Sequence, residues 1–213
     1  MTLDYLFQGL ERLGLTEVQH PGLASRLRAY EALVQRENDR FGLVRLHEDD
    51  DFVKKHLLDS LAPWQLLANL PDPKHIIDLG SGAGLPGIPL ALAFPHWRVT
   101  LAERKEKRVR FLKLAVEELS LSNVELWPYQ FEELKEKFPV VVFRAFSPLD
   151  PALMKVLKKL LTPKGWTLAY KGRQDVLEAE VRSVQTLISE VQVVKLEVPF
   201  LDEERHAVVF QLK

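Results

Sequence analysis

The stretch IIDLGSGAGLPGIPL, residues 76–90, constrains the fold more than any other part of the chain. Apolar residues around Asp78 predict a buried strand. Gly80, Gly82 and Gly84 follow at alternate positions, and an apolar run with Pro86 and Pro89 then predicts a helix. A strand that breaks into glycines and restarts as a helix lets a ligand touch the backbone, because glycine has no Cβ and reaches positive φ freely.

The surrounding pattern says which sheet this strand belongs to. Residues 1–70 read as helical, with Leu23, Leu27, Tyr30 and Val34 in line, then Phe52, Val53, His56, Leu57, Leu61 and Trp64. The breaker PDP, residues 71–73, closes this segment. From residue 75 onward, strands are predicted at His75–Leu79, Arg98–Glu103, Val124–Trp127, Val140–Arg144 and Trp166–Lys171. Helices are predicted at Ile88–Ala93, Lys105–Leu119, Pro151–Leu161 and Val176–Glu190. Such alternation implies an α/β fold with a doubly wound, mostly parallel sheet. The end, VQVVKLEVPF-LDEE-RHAVVFQLK, reads as a hairpin, so the last strand is expected to be antiparallel. Two units follow: a helical extension over 1–70, packed on an α/β domain over 71–213.

Composition narrows the chemistry. The chain has no cysteine, which excludes disulfides, thiolate zinc sites and cysteine nucleophiles. No metal is expected. No apolar run approaches the roughly 18 residues of a membrane span, and the first residues lack a signal-peptide layout, so a cytoplasmic protein without membrane contact is expected. Net charge is −1, but residues 104–113, RKEKRVRFLK, hold six bases and one acid. Bases at a helix start oppose the helix dipole. Phosphate contact is a sufficient reason for them, and a solvated face is the plainer one.

The glycine loop is expected to hold a nucleoside. Glu103 ends the second strand 23 residues after Gly80, near the spacing at which an acid receives ribose hydroxyls, about 20 residues on. A dinucleotide fits poorly. The spacing is GxGxG rather than GxGxxG, and Pro86 and Pro89 remove two amides where a pyrophosphate needs donors. An antiparallel last strand is also unusual for that fold, and no GK[ST] marks a triphosphate loop. A nucleoside ligand without phosphate, such as S-adenosylmethionine, fits better.

At this point the chain resembles a known family. DLGSGAG with an acid at the next strand end resembles class I S-adenosylmethionine-dependent methyltransferases, with their Rossmann-like seven-stranded sheet and antiparallel seventh strand. More closely, HLLDSL (56–61), DLGSGAGLPGIPLAL (78–92), FEEL (131–134), FRAFSPL (143–149) and YKG (170–172) resemble the RsmG (GidB) family of bacterial small-subunit rRNA methyltransferases. The resemblance implies methyl transfer to N7 of guanosine 527 in 16S rRNA, either naked or in an assembling small subunit, by a monomer. One departure is Gly42-Leu43, where the family usually has Asn-Leu.

The expected cofactor contacts are Gly80, Gly82, Leu85 and Glu103, with Phe131, Glu132 and Arg144 added by the resemblance. Leu85, before proline, is expected to be extended. Taken alone, FEEL reads as the start of an amphipathic helix. Arg144, Lys171, Arg104 and Arg108 are the expected substrate contacts, and no residue is singled out as catalytic. Plainer roles stand beside these: an ion pair for Arg144, a solvated lysine for Lys171, a dipole-complementing acid for Glu103. His56, Asp59 and Ser60 lie too close in sequence for a nucleophile triad and are expected to pack the helices over the site. Without a cysteine, and without an Asx-Pro-Pro-aromatic motif after the fourth strand, the acceptor is a ring nitrogen or an oxygen. A small-molecule methyltransferase and a non-catalytic adenosyl-binding RNA module are the competing readings.

Overall fold

The structure, a computed structural model, describes residues 4–46, 50–71, 74–130 and 133–213. Its centre is a seven-stranded sheet in the order β3-β2-β1-β4-β5-β7-β6. The strands are β1 (His75–Leu79), β2 (Arg98–Ala102), β3 (Val124–Trp127), β4 (Phe138–Arg144), β5 (Leu161–Lys171), β6 (Ile188–Leu196) and β7 (Arg205–Leu212). β1 pairs in parallel with β2 and β4, and β7 is antiparallel to both β5 and β6. The doubly wound sheet with an antiparallel last strand is therefore present as expected. Successive connections run outward to both sides of β1, so the order reverses between β1 and β4. Ligands of such sheets bind at the carboxyl ends of the strands at this reversal.

Both faces of the sheet are covered. On one face pack α1 (Tyr5–Arg12), α2 (Leu23–Phe41), a π-helical turn at Val53–Leu58, α3 (Asp59–Leu61), α4 (Trp64–Ala68), α5 (Gly87–Ala93) and α6 (Glu106–Glu118). On the other lie α7 (Pro151–Leu160) and α8 (Gln174–Val184). Side chains alternate across β4: Val140 and Val142 join the first core, Val141 and Phe143 the second. The same alternation sends Tyr170 toward the N-terminal helices and Lys171 toward α8.

Several boundaries differ from the sequence pattern. The helix expected through Glu190 stops at Val184, and Ile188 begins β6. β5 starts at Leu161, pairing it with Phe138 before the register shifts. FEEL does not open a longer helix: Phe131 and Glu132 lie outside the described residues, and residues 134–137 carry no helix. Val53–Leu58 has wider π-type turns, a departure common at functional sites. Gly42 ends α2 in the left-handed region, φ 62°, with its amide on the Asn38 carbonyl. Glycine and asparagine are the residues that most readily adopt this conformation at a helix end. A backbone role therefore accommodates the departure at this position.

Candidate active site

The loop after β1 is held from three sides. Asp78, fully buried, accepts from the Gly87 amide through Oδ2 (3.0 Å), and its carbonyl receives the Ser81 hydroxyl (2.9 Å). Burial pushes the Asp78 carboxyl up to about 7, against the lowering effect of the Gly87 amide. From the adjacent strand, the Ala102 carbonyl accepts the Gly80 and Ser81 amides at 2.8 and 3.2 Å. From above, the Tyr30 hydroxyl of α2 donates to the Ala83 carbonyl at 2.6 Å.

Glycine is required at two places. Gly80 has φ 69°, and a Cβ there would lie 2.4 Å from the Phe146 ring. At Gly87 a Cβ would meet Leu101 at 2.2 Å, so the helix start could not lie so close to β2. Leu85 lies in a turn, its amide 3.0 Å from the Ser81 carbonyl and its peptide bond to Pro86 cis, and it is buried on the wall of the cavity beside the loop.

Glu103 follows β2 directly. Its Oε2 accepts from the Gly82 amide (3.1 Å) and its Oε1 from the Lys105 amide (2.9 Å), while Arg108 approaches Oε2 at 3.5 Å. One carboxylate thus ties the glycine loop to the start of α6. Only 5% of Glu103 is exposed.

Beside the loop opens a cavity of about 690 Å³. Its walls include Gly80, Gly82 and Leu85 from the loop, Arg108 from α6, Arg144 from β4, and Lys171 and Gly172 after β5. The N-terminal segment contributes Leu43, Val44, Lys55, His56 and Asp59. Asn38 shapes this rim by accepting the Leu43 and Val44 amides at 3.1 and 3.0 Å. A concave space of this size is typical of a small-molecule site, and the charged side chains on its walls suit a polar ligand.

Arg144 is the most constrained cation. It donates to the Lys55 carbonyl (2.9 Å), to Asp59 Oδ2 (2.8 Å) and toward His56 Nδ1 (3.0 Å). Asp59 Oδ1 lies 3.3 Å from Arg205 at the start of β7, so one carboxylate joins the ends of β4 and β7. His56 is held far below the usual imidazole range, at about 3, first by burial and then by the Arg144 charge.

The expected substrate contacts are not equivalent. Arg144 and Arg108 line the cavity; Arg104 is exposed outside it and donates to Gln130 (3.1 Å). Lys171 is not a solvated lysine. Its ammonium binds Glu180 of α8 (2.6 Å) and the Ser147 carbonyl (3.0 Å) on the far face of the sheet. Sequence reasoning assigned His56 and Asp59 to packing and missed their grip on Arg144. The available signal was their i, i+3 spacing, which puts both on one helix face. Arg205 and Tyr30 carried no such signal.

Comparison with known proteins agrees with this architecture. A family model described as rRNA small subunit methyltransferase G (GidB) matches residues 23–209. A ribosomal RNA small subunit methyltransferase G of Treponema denticola is 30% identical, covering 97% of this chain and 93% of its own length. Its counterpart in Treponema pallidum is 38% identical, covering 88% and 85%. In fold, the chain resembles a tRNA (m1A58) methyltransferase of Aquifex aeolicus, with a TM-score of 0.58, 15% identity and coverage of 73% and 68%. With a family model matched over most of its length and relatives spanning nearly all of it, this chain belongs to the rRNA small subunit methyltransferase G family.

Proposed function

We propose that the protein transfers a methyl group from S-adenosylmethionine to N7 of guanosine 527 in 16S rRNA. Family membership carries this reading, and the cavity at the β1/β4 reversal supports it. The residues fit the cofactor: Gly80 and Gly82 bring backbone to the cavity wall, and the buried Glu103 carboxylate, bonded to the Gly82 amide behind that wall, keeps lone pairs for ribose hydroxyls. Gly80, Gly82, Leu85 and Glu103 would hold it, with Arg144 at its far end. Phe131 and Glu132, assigned to the adenine, lie outside the described residues. When bound, the cofactor supplies a methyl group already activated on a sulfonium.

N7 of guanine has a lone pair and no proton, so no general base is needed. The chain's task is to bind and align, and alignment of this kind is worth about 7–11 kcal/mol. Arg144, fixed by three acceptors, presents a rigid cation to the base. Arg104 and Arg108, at the start of α6, approach RNA phosphates, which position a nucleic acid without reading its sequence. Lys171 reaches RNA only by leaving Glu180; while paired, it holds the end of β5 beside the cavity. One chain supplies every residue named, and the reading includes a cytoplasmic monomer. Among the described residues no helix is long and apolar enough to cross a membrane, and no cluster of metal-ligating side chains occurs.

Titration calorimetry tests the cofactor assignment. S-adenosylmethionine binds and NAD does not; NAD binding without S-adenosylmethionine binding would overturn it.

A further inference from the structure

The contact between Arg144 and His56 fixes where the imidazole proton sits. A guanidinium has only donors, so the ring nitrogen facing it, Nδ1 at 3.0 Å, must offer a lone pair. In a neutral ring the proton is then on Nε2. Burial and the Arg144 charge keep the ring neutral down to about pH 3. Asp59, three residues on, holds the same guanidinium at 2.8 Å, so ring and cation are locked together.

The opposite edge of the ring is free. His56 is partly exposed and lines the cavity, and among the described residues its Nε2 has no hydrogen-bond partner. The ring therefore presents a single N–H of fixed polarity to the cavity that the glycine loop also lines. Guanine carries an acceptor, O6, next to N7; adenine carries an amine at that place. An N–H donates to the first and clashes with the second.

We propose that His56 is a specificity-determining residue whose Nε2–H donates to O6 of the target guanine and disfavours adenine. This inference rests on the guanine-N7 reading above and deepens it. It gives the HLLDS segment two linked roles, orienting Arg144 through Asp59 and reading the base through His56. It also gives the π-helical turn a use, since that turn carries both His56 and the Lys55 carbonyl that grips Arg144.

The test compares small subunits whose 16S rRNA, joined by ligation, carries guanosine or 2-aminopurine riboside at position 527. The analogue keeps N7 and lacks the oxygen at C6. Wild type should favour guanosine in kcat/KM by about 10- to 100-fold, the range for one base-edge contact. His56→Asn keeps an oxygen for Arg144 but loses the distal N–H, and should treat the two RNAs within threefold. His56→Gln returns an N–H near the Nε2 position and should recover part of the preference. Unchanged S-adenosylmethionine affinity in both variants would show that fold and loop are intact. A wild-type ratio near one, or a wild-type ratio retained by His56→Asn, overturns the inference alone. Failure of wild type to methylate either RNA overturns the guanine-N7 reading and the inference with it.

Discussion

Tyr30, in the middle of α2, donates a 2.6 Å hydrogen bond to the carbonyl of Ala83, inside the glycine loop. The two are 53 residues apart, and the bond fastens the N-terminal helices to the loop assigned to the cofactor. Tyr30 is fully buried, and burial raises its hydroxyl well above the usual tyrosine range, so it remains a donor. Tyr30→Phe keeps the ring and leaves the carbonyl unpaired. It should cost about 1–3 kcal/mol in urea unfolding, the range for an unsatisfied buried group, and weaken S-adenosylmethionine binding. Unchanged values of both would reduce the bond to an incidental contact.

Asp59 stands between two cations, Arg144 at 2.8 Å and Arg205 at 3.3 Å, with only 5% of its side chain exposed. Removing one partner of a buried ion pair strands the remaining charge, at a cost of about 3–5 kcal/mol. Asp59→Ala should therefore destabilise the fold by that order and misplace Arg144, lowering methyl transfer more than cofactor affinity. Denaturant unfolding with parallel calorimetry measures both. A loss confined to cofactor affinity would contradict the assignment.

Two buried groups couple folding to pH with opposite signs. His56 is held at about 3 against 6.5, so the unfolded chain binds the extra proton and stability is lost as pH falls from about 6.5 toward 3. Asp78 is held at about 7 against 3.8, so the folded chain keeps its proton and stability is lost as pH rises from about 4 toward 7. Between about 4 and 6.5 the two offset each other. Asp78→Asn should gain on wild type as pH rises through 4–7, and His56→Asn as pH falls through 6.5–3. Each slope approaches one proton, about 1.4 kcal/mol per pH unit. Urea midpoints that shift by a constant amount at every pH would refute both assignments.

The basic start of α6 is best tested without Arg108, which approaches Glu103 at 3.5 Å and lines the cavity. Arg104, Lys105 and Lys107 have exposed side chains. Changing all three to alanine should spare cofactor affinity, weaken RNA binding, and reduce the slope of log affinity against log salt by roughly one per lost phosphate contact. A wild-type slope would make this cluster a solvated face.

Strands β1, β2 and β4 were legible in the sequence because they are short, apolar and set off by a helical period or a turn. The β6–β7 hairpin was legible from the polar LDEE between two strand-like runs. Helix α8 was overrun because Val181, Val184 and Ile188 keep a helical spacing even though Ile188 already starts an edge strand. In the site, Gly80 and Glu103 were readable from local spacing. The grip of Asp59 on Arg144 was not, since 85 residues separate them and only the docking of the N-terminal helices on the sheet brings them together. Lys171 was expected at the substrate, with a solvated lysine as the plainer role, and strand alternation alone does not reveal that Glu180 waits on the far face.

The proposed methyl transfer to one guanine of the small-subunit RNA leaves a mark on that RNA. Mass spectrometry of 16S rRNA from a strain lacking this protein, with and without the protein restored, measures it directly. N7-methylguanosine at position 527 should disappear on deletion and return on restoration. Methylation at that position unaffected by deletion, or a loss at a different base, would contradict it.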